Sequence, residues 1–244
     1  MTGKTHRVGG MLGGLVGFSL LKYQGMLVSG VSEPLQLVMM YASSMYGSII
    51  SDMDHEWESC PAHDAMSWVL WKVFHLTTPI RRYLSKGGKI RKWLYKRLKV
   101  PLEFLDSRHR SWQTHSDLAL MLIVWLTVNL PNKIGTSIDG MLITIIGEGI
   151  LFGLISHLFL DMLTTDGIWS FLLAPLKLFM HVDKKDMKEH LVRLSLVPKG
   201  IKFFTTKDSN SPWERVCRWI MNIFIIIFAV RILYLWSPYR FVIG

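Results

Sequence analysis

The residues able to do chemistry in this sequence gather in three short polar stretches. They are Ser51-Asp52-Met53-Asp54-His55, His109-Arg110-Ser111-Trp112-Gln113-Thr114-His115-Ser116, and Ser156-His157 followed by Asp161. His6 stands apart near the start. Imidazoles and carboxylates without thiolates suit zinc first, then manganese or iron, in a hydrolytic role. Such an ion lowers the pKa of a bound water and polarises the scissile group. A spare carboxylate, Asp54 here, would accept the proton. With this many candidate ligands more than one ion fits, which points toward phosphoester cleavage.

The spacing decides how each stretch could act. His157 and Asp161 are i, i+4, so a helix places both on one face and both can grip one ion; the plainer reading is a helix-end His bonded to an Asp. Asp52 and Asp54 can clamp a cation only if the helix before them has ended in a turn. Carboxylates at a helix C-terminus oppose its dipole, so a metal or Arg110 should compensate. His115 would open a helix behind a Thr114 or Ser116 cap, leaving His109 in the preceding loop and Arg110 placed to hold a phosphate or carboxylate. Glu148 lies deeper in its segment and reads as a buried interhelical partner. His63, His75, His181 and His190 lack such company and read as surface or interfacial, and Cys60 and Cys217, far apart, read as ordinary thiols.

Each polar stretch abuts a long apolar run, and the runs are what must position it. Half the 244 residues are hydrophobic, gathered in blocks rather than at amphipathic spacing. The clearest are Trp219 to Trp236 and Ile138 to Leu163; Val8 to Val31, Pro34 to Ile50 and Leu118 to Pro131 are weaker. A helical span needs roughly 20 apolar residues, which predicts an all-α integral membrane bundle of four or five transmembrane helices. Ionisable groups beside such spans are costly and usually functional. The first block lacks a small-x-small cleavage site and reads as a span rather than a signal peptide.

The formal net charge of +10 is uneven. Arg81 to Lys99 and Lys184 to Arg215 are rich in Lys and Arg, whereas Ser32-Glu33 and Asn132 to Ser137 carry only Lys133. Basic loops stay cytoplasmic, so five spans put His6, Asp52, Asp54, His109, His115, His157 and Asp161 at the cytoplasmic face of a bacterial-type inner membrane. Residues 1–180 then form the site-bearing core, with a basic cytoplasmic insertion at 56–108. Residues 181–244 form a connecting segment and a last transmembrane helix. Lys89 to Lys99 reads as a basic amphipathic helix behind a Gly87-Gly88 hinge, lying on anionic lipid headgroups. No base-reading module accompanies it, so no specific nucleic acid is expected. Leu191 to Thr206 alternates weakly, as a short hairpin or irregular cover. Ser211-Pro212-Trp213-Glu214 reads as a capping box opening a helix.

The order His6, Asp52-x-Asp54, His109-Arg110 with Thr114-His115-Ser116, then Ser156-His157-x-x-x-Asp161 and Gly167 resembles the YdjM-type membrane-bound metal-dependent hydrolases, which are similar more distantly to zinc-dependent phospholipases C. The resemblance runs to about Pro175, and more loosely over Thr205 to Glu214. It implies metal ligands among His6, Asp52, His115, His157 and Asp161. Asp54, His109 and Arg110 are left as catalytic or supporting groups, and the substrate is a phosphodiester or phospholipid. Ser51 stands where the family often has Pro, and the interval from His109 to His115 is about one residue longer, which favours His115 over His109 as ligand. A metal-ion or small-solute carrier would use the same ligands at the midplane between repeated halves. A non-enzymatic membrane scaffold would leave their convergence unexplained.

Overall fold

A computed structural model describes residues 3–54, 117–134, 137–164, 168–169, 193–194 and 212–236, with Ala65, Trp68, Val69, Trp71, Lys72, Lys92, Trp93, Lys96 and Arg97. The described architecture is helical: α1 (Gly3–Tyr23), α2 (Glu33–Ile50), α3 (Asp117–Ile134), α4 (Ile138–Met162) and α5 (Pro212–Trp236). Local sequence sets their ends. At the end of α1, Met26 donates to the Leu21 carbonyl and Gly25 to that of Lys22, with Gly25 at φ +67°. This is a Schellman stop that a residue without Cβ adopts at little cost. Pro34 sits in the first turn of α2. Ser137 caps α4 by accepting from the Gly140 amide at 3.3 Å. The expected start of the last helix is met at Pro212.

The helices alternate in direction, as their contacts show. Gly10 of α1 lies against Ser44 and Ser48 of α2, and Gly14 against Met40, so these two are antiparallel. Gly149 and Gly153 of α4 face Met40 and Ser44 in the same order, making α2 and α4 parallel. Thr127 of α3 meets Gly147, while Leu120 packs near Leu154 and Leu158. Helix α5 runs alongside α1 in the same sense, from Thr5 beside Glu214 to Phe18 beside Trp236. The starts of α1, α3 and α5 therefore share one end of the bundle with the finishes of α2 and α4.

Small residues bring the central helices close. A Cβ on Gly47 would lie 2.5 Å from the Ile150 carbonyl oxygen, and one on Gly10 would lie 2.7 Å from that of Ser44. Such close approach maximises van der Waals contact between the helices. The Ser44 hydroxyl adds a buried bond to the Gly10 carbonyl at 2.6 Å. Buried Gln36 ties down the α1–α2 turn, accepting from the Val28 amide and donating to the Val28 and Val31 carbonyls.

Among the described residues two helices, α4 and α5, are long and apolar enough to cross a membrane. The weaker first blocks form helices of suitable length, but Gly and polar residues dilute them. Trp219, Ile226, Val230 and Leu233 on α5 are exposed, as lipid-facing positions would be. Of the stretch expected to form a short hairpin or irregular cover, residues 193–194 are described. Arg193–Leu194 pairs upstream with Ile168–Trp169, antiparallel, and Ile168 buries against Leu154 and Leu158. This two-residue ladder holds the chain leaving α4 against its own helix. In the basic insertion, Lys92, Trp93, Lys96 and Arg97 are helical, and Lys72 lies over the rings of Trp68 and Trp71.

Candidate metal centre

Four of the residues singled out from the sequence meet at the shared end of the bundle. His157 and Asp161 come from the last turns of α4, His6 from the first turns of α1, and Asp52 from a 3-10 turn, Ser51–Asp54, that follows α2. The α-helix thus ends at Ile50, the condition under which the Asp-x-Asp stretch could leave the helix, and a 3-10 turn carries Asp52. From there Asp52 faces His157 of α4. His6 and Asp161 are 1 % exposed, His157 is fully buried and Asp52 is 7 % exposed.

The geometry is close and mutually oriented. His157 Nε2 lies 3.3 Å from Asp161 Oδ2 and 3.9 Å from Asp52 Oδ1, and His6 Nε2 lies 3.5 Å from Asp161 Oδ1. The two imidazole rings stack with centroids 3.9 Å apart and planes inclined by 23°. His157 Nδ1 faces the Ser48 carbonyl at 2.5 Å; a carbonyl only accepts, so Nδ1 carries the proton. That bond turns Nε2 toward the two carboxylates. The same arrangement, one ring nitrogen on a backbone carbonyl and the other on the ion, is how proteins orient a metal-binding histidine. His6 Nδ1, also buried, has no hydrogen-bond partner among the described residues.

His6, Asp52 and His157 each offer a ligand atom, and these atoms lie within 4.8 Å of one another. Zinc bound to His nitrogen and carboxylate oxygen sits about 2.0–2.2 Å from each, so a cation would draw the set inward. Asp161 bridges the two imidazoles, Oδ1 toward His6 and Oδ2 toward His157. Asp54 belongs to the same turn, but its side chain, like His109, Arg110 and His115, lies outside the described residues.

One part of the site escaped sequence reasoning. Glu214 reads as a capping residue, yet it is 2 % exposed and its Oε1 accepts from the Thr5 hydroxyl at 2.5 Å. Arg218, one turn later, donates to Thr5 Oγ1 at 3.1 Å and lies 3.6 Å from Glu214. Thr5 precedes His6, so this buried knot fastens the start of α1 to α5 and fixes where His6 emerges. The polar helix start in front of an apolar span was the only available signal. Glu148 departs from its expected role: it is half-buried and makes no hydrogen bond or ion pair among the described residues. Glu214→Ala should lower stability by about 3 kcal/mol, because Arg218 and Thr5 lose their buried partner. Thermal unfolding in detergent checks this, and Glu214→Gln should recover part of the loss through its amide oxygen.

The helices and the cluster define a helical membrane protein with a buried His/Asp site of metal-binding type at one end. A family model described as YdjM inner membrane protein matches residues 1–240, and the chain belongs to that family. Comparison with curated proteins and with solved structures finds no match.

Proposed function

We propose that this protein is a metal-dependent hydrolase of the inner membrane that cleaves a phosphoester, most naturally in a phospholipid, at the cytoplasmic headgroup level. The observation that carries the reading is His157, held by the Ser48 carbonyl so that its Nε2 meets two buried carboxylates while His6 stacks upon it. Two carboxylates, Asp52 and Asp161, are buried side by side, which is costly unless positive charge compensates them. One divalent cation does so.

Metal ligands in this reading are His6, Asp52, His157 and Asp161, joined by His115, two residues before α3 in the sequence, with zinc as the first candidate ion, manganese or iron as others, and room for a second. When bound, the ion acidifies water and polarises the phosphoryl group. Asp54 takes the proton, and Arg110 and His109 hold the phosphate. All five helices cross the bilayer, and the basic loops set the site toward the cytoplasm. Those same loops draw anionic lipid to it.

The test is a hydrolysis screen on purified protein, stripped with chelator and reloaded with zinc or manganese. The substrates are phosphatidylglycerol, phosphatidic acid and a chromogenic phosphodiester. Reloaded protein should hydrolyse at least one of them and stripped protein none. Asp54→Asn should bind metal normally while losing about 100-fold or more in rate. Stoichiometric metal without turnover on any substrate would overturn the enzyme and favour a carrier.

A further inference from the structure

The end of the bundle opposite the metal centre holds a second feature that hydrolysis does not use. A cavity of about 490 Å³ opens between α1 and α5, walled by side chains such as Leu20, Phe228, Ile232 and Leu235 and rimmed by Lys22 and Arg231. The walls are apolar; the rim is cationic. A volume of that size lies within the range of pockets that take organic ligands.

The two cations are in different situations. Lys22 pairs with Glu33 and lies over the Trp236 ring, 5.6 Å from its centre, while the Trp236 indole donates to Glu33 Oε2 at 2.8 Å. Glu33 is thus already matched. Arg231 interrupts the apolar run of α5, and makes no ion pair or hydrogen bond among the described residues. The sequence beyond α5, Ser237 to Gly244, adds Arg240 and no acidic residue. A guanidinium placed among apolar side chains of a membrane helix is costly unless it reaches an anion or the interface. In a bilayer the anion at hand is a lipid phosphate, whose acyl chain needs an apolar groove beside it.

We propose that the α1–α5 groove binds one anionic phospholipid, with its phosphate on Arg231 and an acyl chain between Leu20 and Phe228, in the leaflet away from the metal centre. Guanidinium and phosphate form paired, charge-assisted bonds that an ammonium could not reproduce in the same plane. The excess positive charge at the rim selects against zwitterionic lipids, whose own ammonium would be set beside it. This site stands independently of hydrolysis at the other end.

Native mass spectrometry of the full chain released from detergent, titrated separately with phosphatidylglycerol, phosphatidylethanolamine and inorganic phosphate, tests the site. The expected result is retention of one phosphatidylglycerol, about tenfold preferred over phosphatidylethanolamine, with no binding of inorganic phosphate. Arg231→Gln should remove the preference. Ser19→Trp, which leaves Arg231 in place and fills the groove, should remove retention as well. Lys4→Gln, at the far end, should change neither. Equal binding of the two lipids by the wild type, or an unaltered preference in Arg231→Gln, would overturn the proposal. So would retention of phosphatidylglycerol by Ser19→Trp. If Arg231→Gln fails to fold, Ser19→Trp and the wild-type lipid comparison still decide it.

Discussion

His157→Ala should purify with almost no metal, its affinity for zinc or manganese falling by at least about 100-fold. Loss of a residue that merely orients a ligand costs about 10–100-fold, and His157 is both a donor and the centre of the cluster. Its Nε2 faces Asp52 and Asp161, its ring supports His6, and its Nδ1 is fixed by Ser48. Removing the ring also leaves a cavity, so metal content alone would not separate lost coordination from lost folding. Asp161→Asn separates them. The amide keeps the volume but neither charge nor full donor capacity, so bound metal should fall sharply with a smaller change in unfolding temperature. Elemental analysis of detergent-purified wild type and both variants is the measurement. Equal and near-zero metal in all three would remove the metal centre from consideration.

The second large effect concerns packing. Gly153→Ala should destabilise the protein by about 3 kcal/mol or more and scatter the site, although position 153 touches no candidate ligand. Its Cβ would lie 2.8 Å from the Ser48 backbone nitrogen and closer still to the Ser44 carbonyl. Backbone cannot step aside as a side chain does, so α2 and α4 must separate, and overpacking of this kind costs the most. The same substitution at Gly9 meets the Leu160 Cδ1 methyl at 2.5 Å, the far end of a flexible side chain. There a rotamer change relieves the clash, and the better helix propensity of Ala, about 1 kcal/mol, offsets it. Gly9→Ala should therefore purify with near wild-type stability and metal, and Gly153→Ala should lose both. Comparable stability in the two variants would mean that the α2–α4 approach is softer than the geometry implies.

How far the sequence could be read depended on range. The pairing of His157 with Asp161 was legible because a helix alone sets it. Asp52 and Asp54 were legible only conditionally, as a clamp if the α-helix ended before them; it ends at Ile50, and the 3-10 turn that follows carries Asp52. The apolar blocks located all five helices. Their alternation, with basic loops at one end, is enough to put His6 at the same end as the others. Glu214 was not legible, since its role depends on Thr5 in a helix more than two hundred residues earlier. Nor was the strand partner of Arg193–Leu194, because weak alternation says nothing of which segment it meets. Glu148 looked like a buried partner because an acid in an apolar run needs one; only the packing shows it half-buried at the side of α4.

The sequence by itself determined the helices, their order and the single end at which His6, Asp52, His157 and Asp161 must lie, since periodicity, hydropathy and charge are properties of short segments. Tertiary structure decided that the four side chains touch. That step depends on backbones brought together at Gly10, Gly47 and Gly153, on the Ser48 carbonyl that turns the His157 ring, and on the Thr5–Glu214–Arg218 knot that seats α1. Each is a contact between distant parts of the chain, fixed by shape and hydrogen-bond direction, which no local pattern encodes.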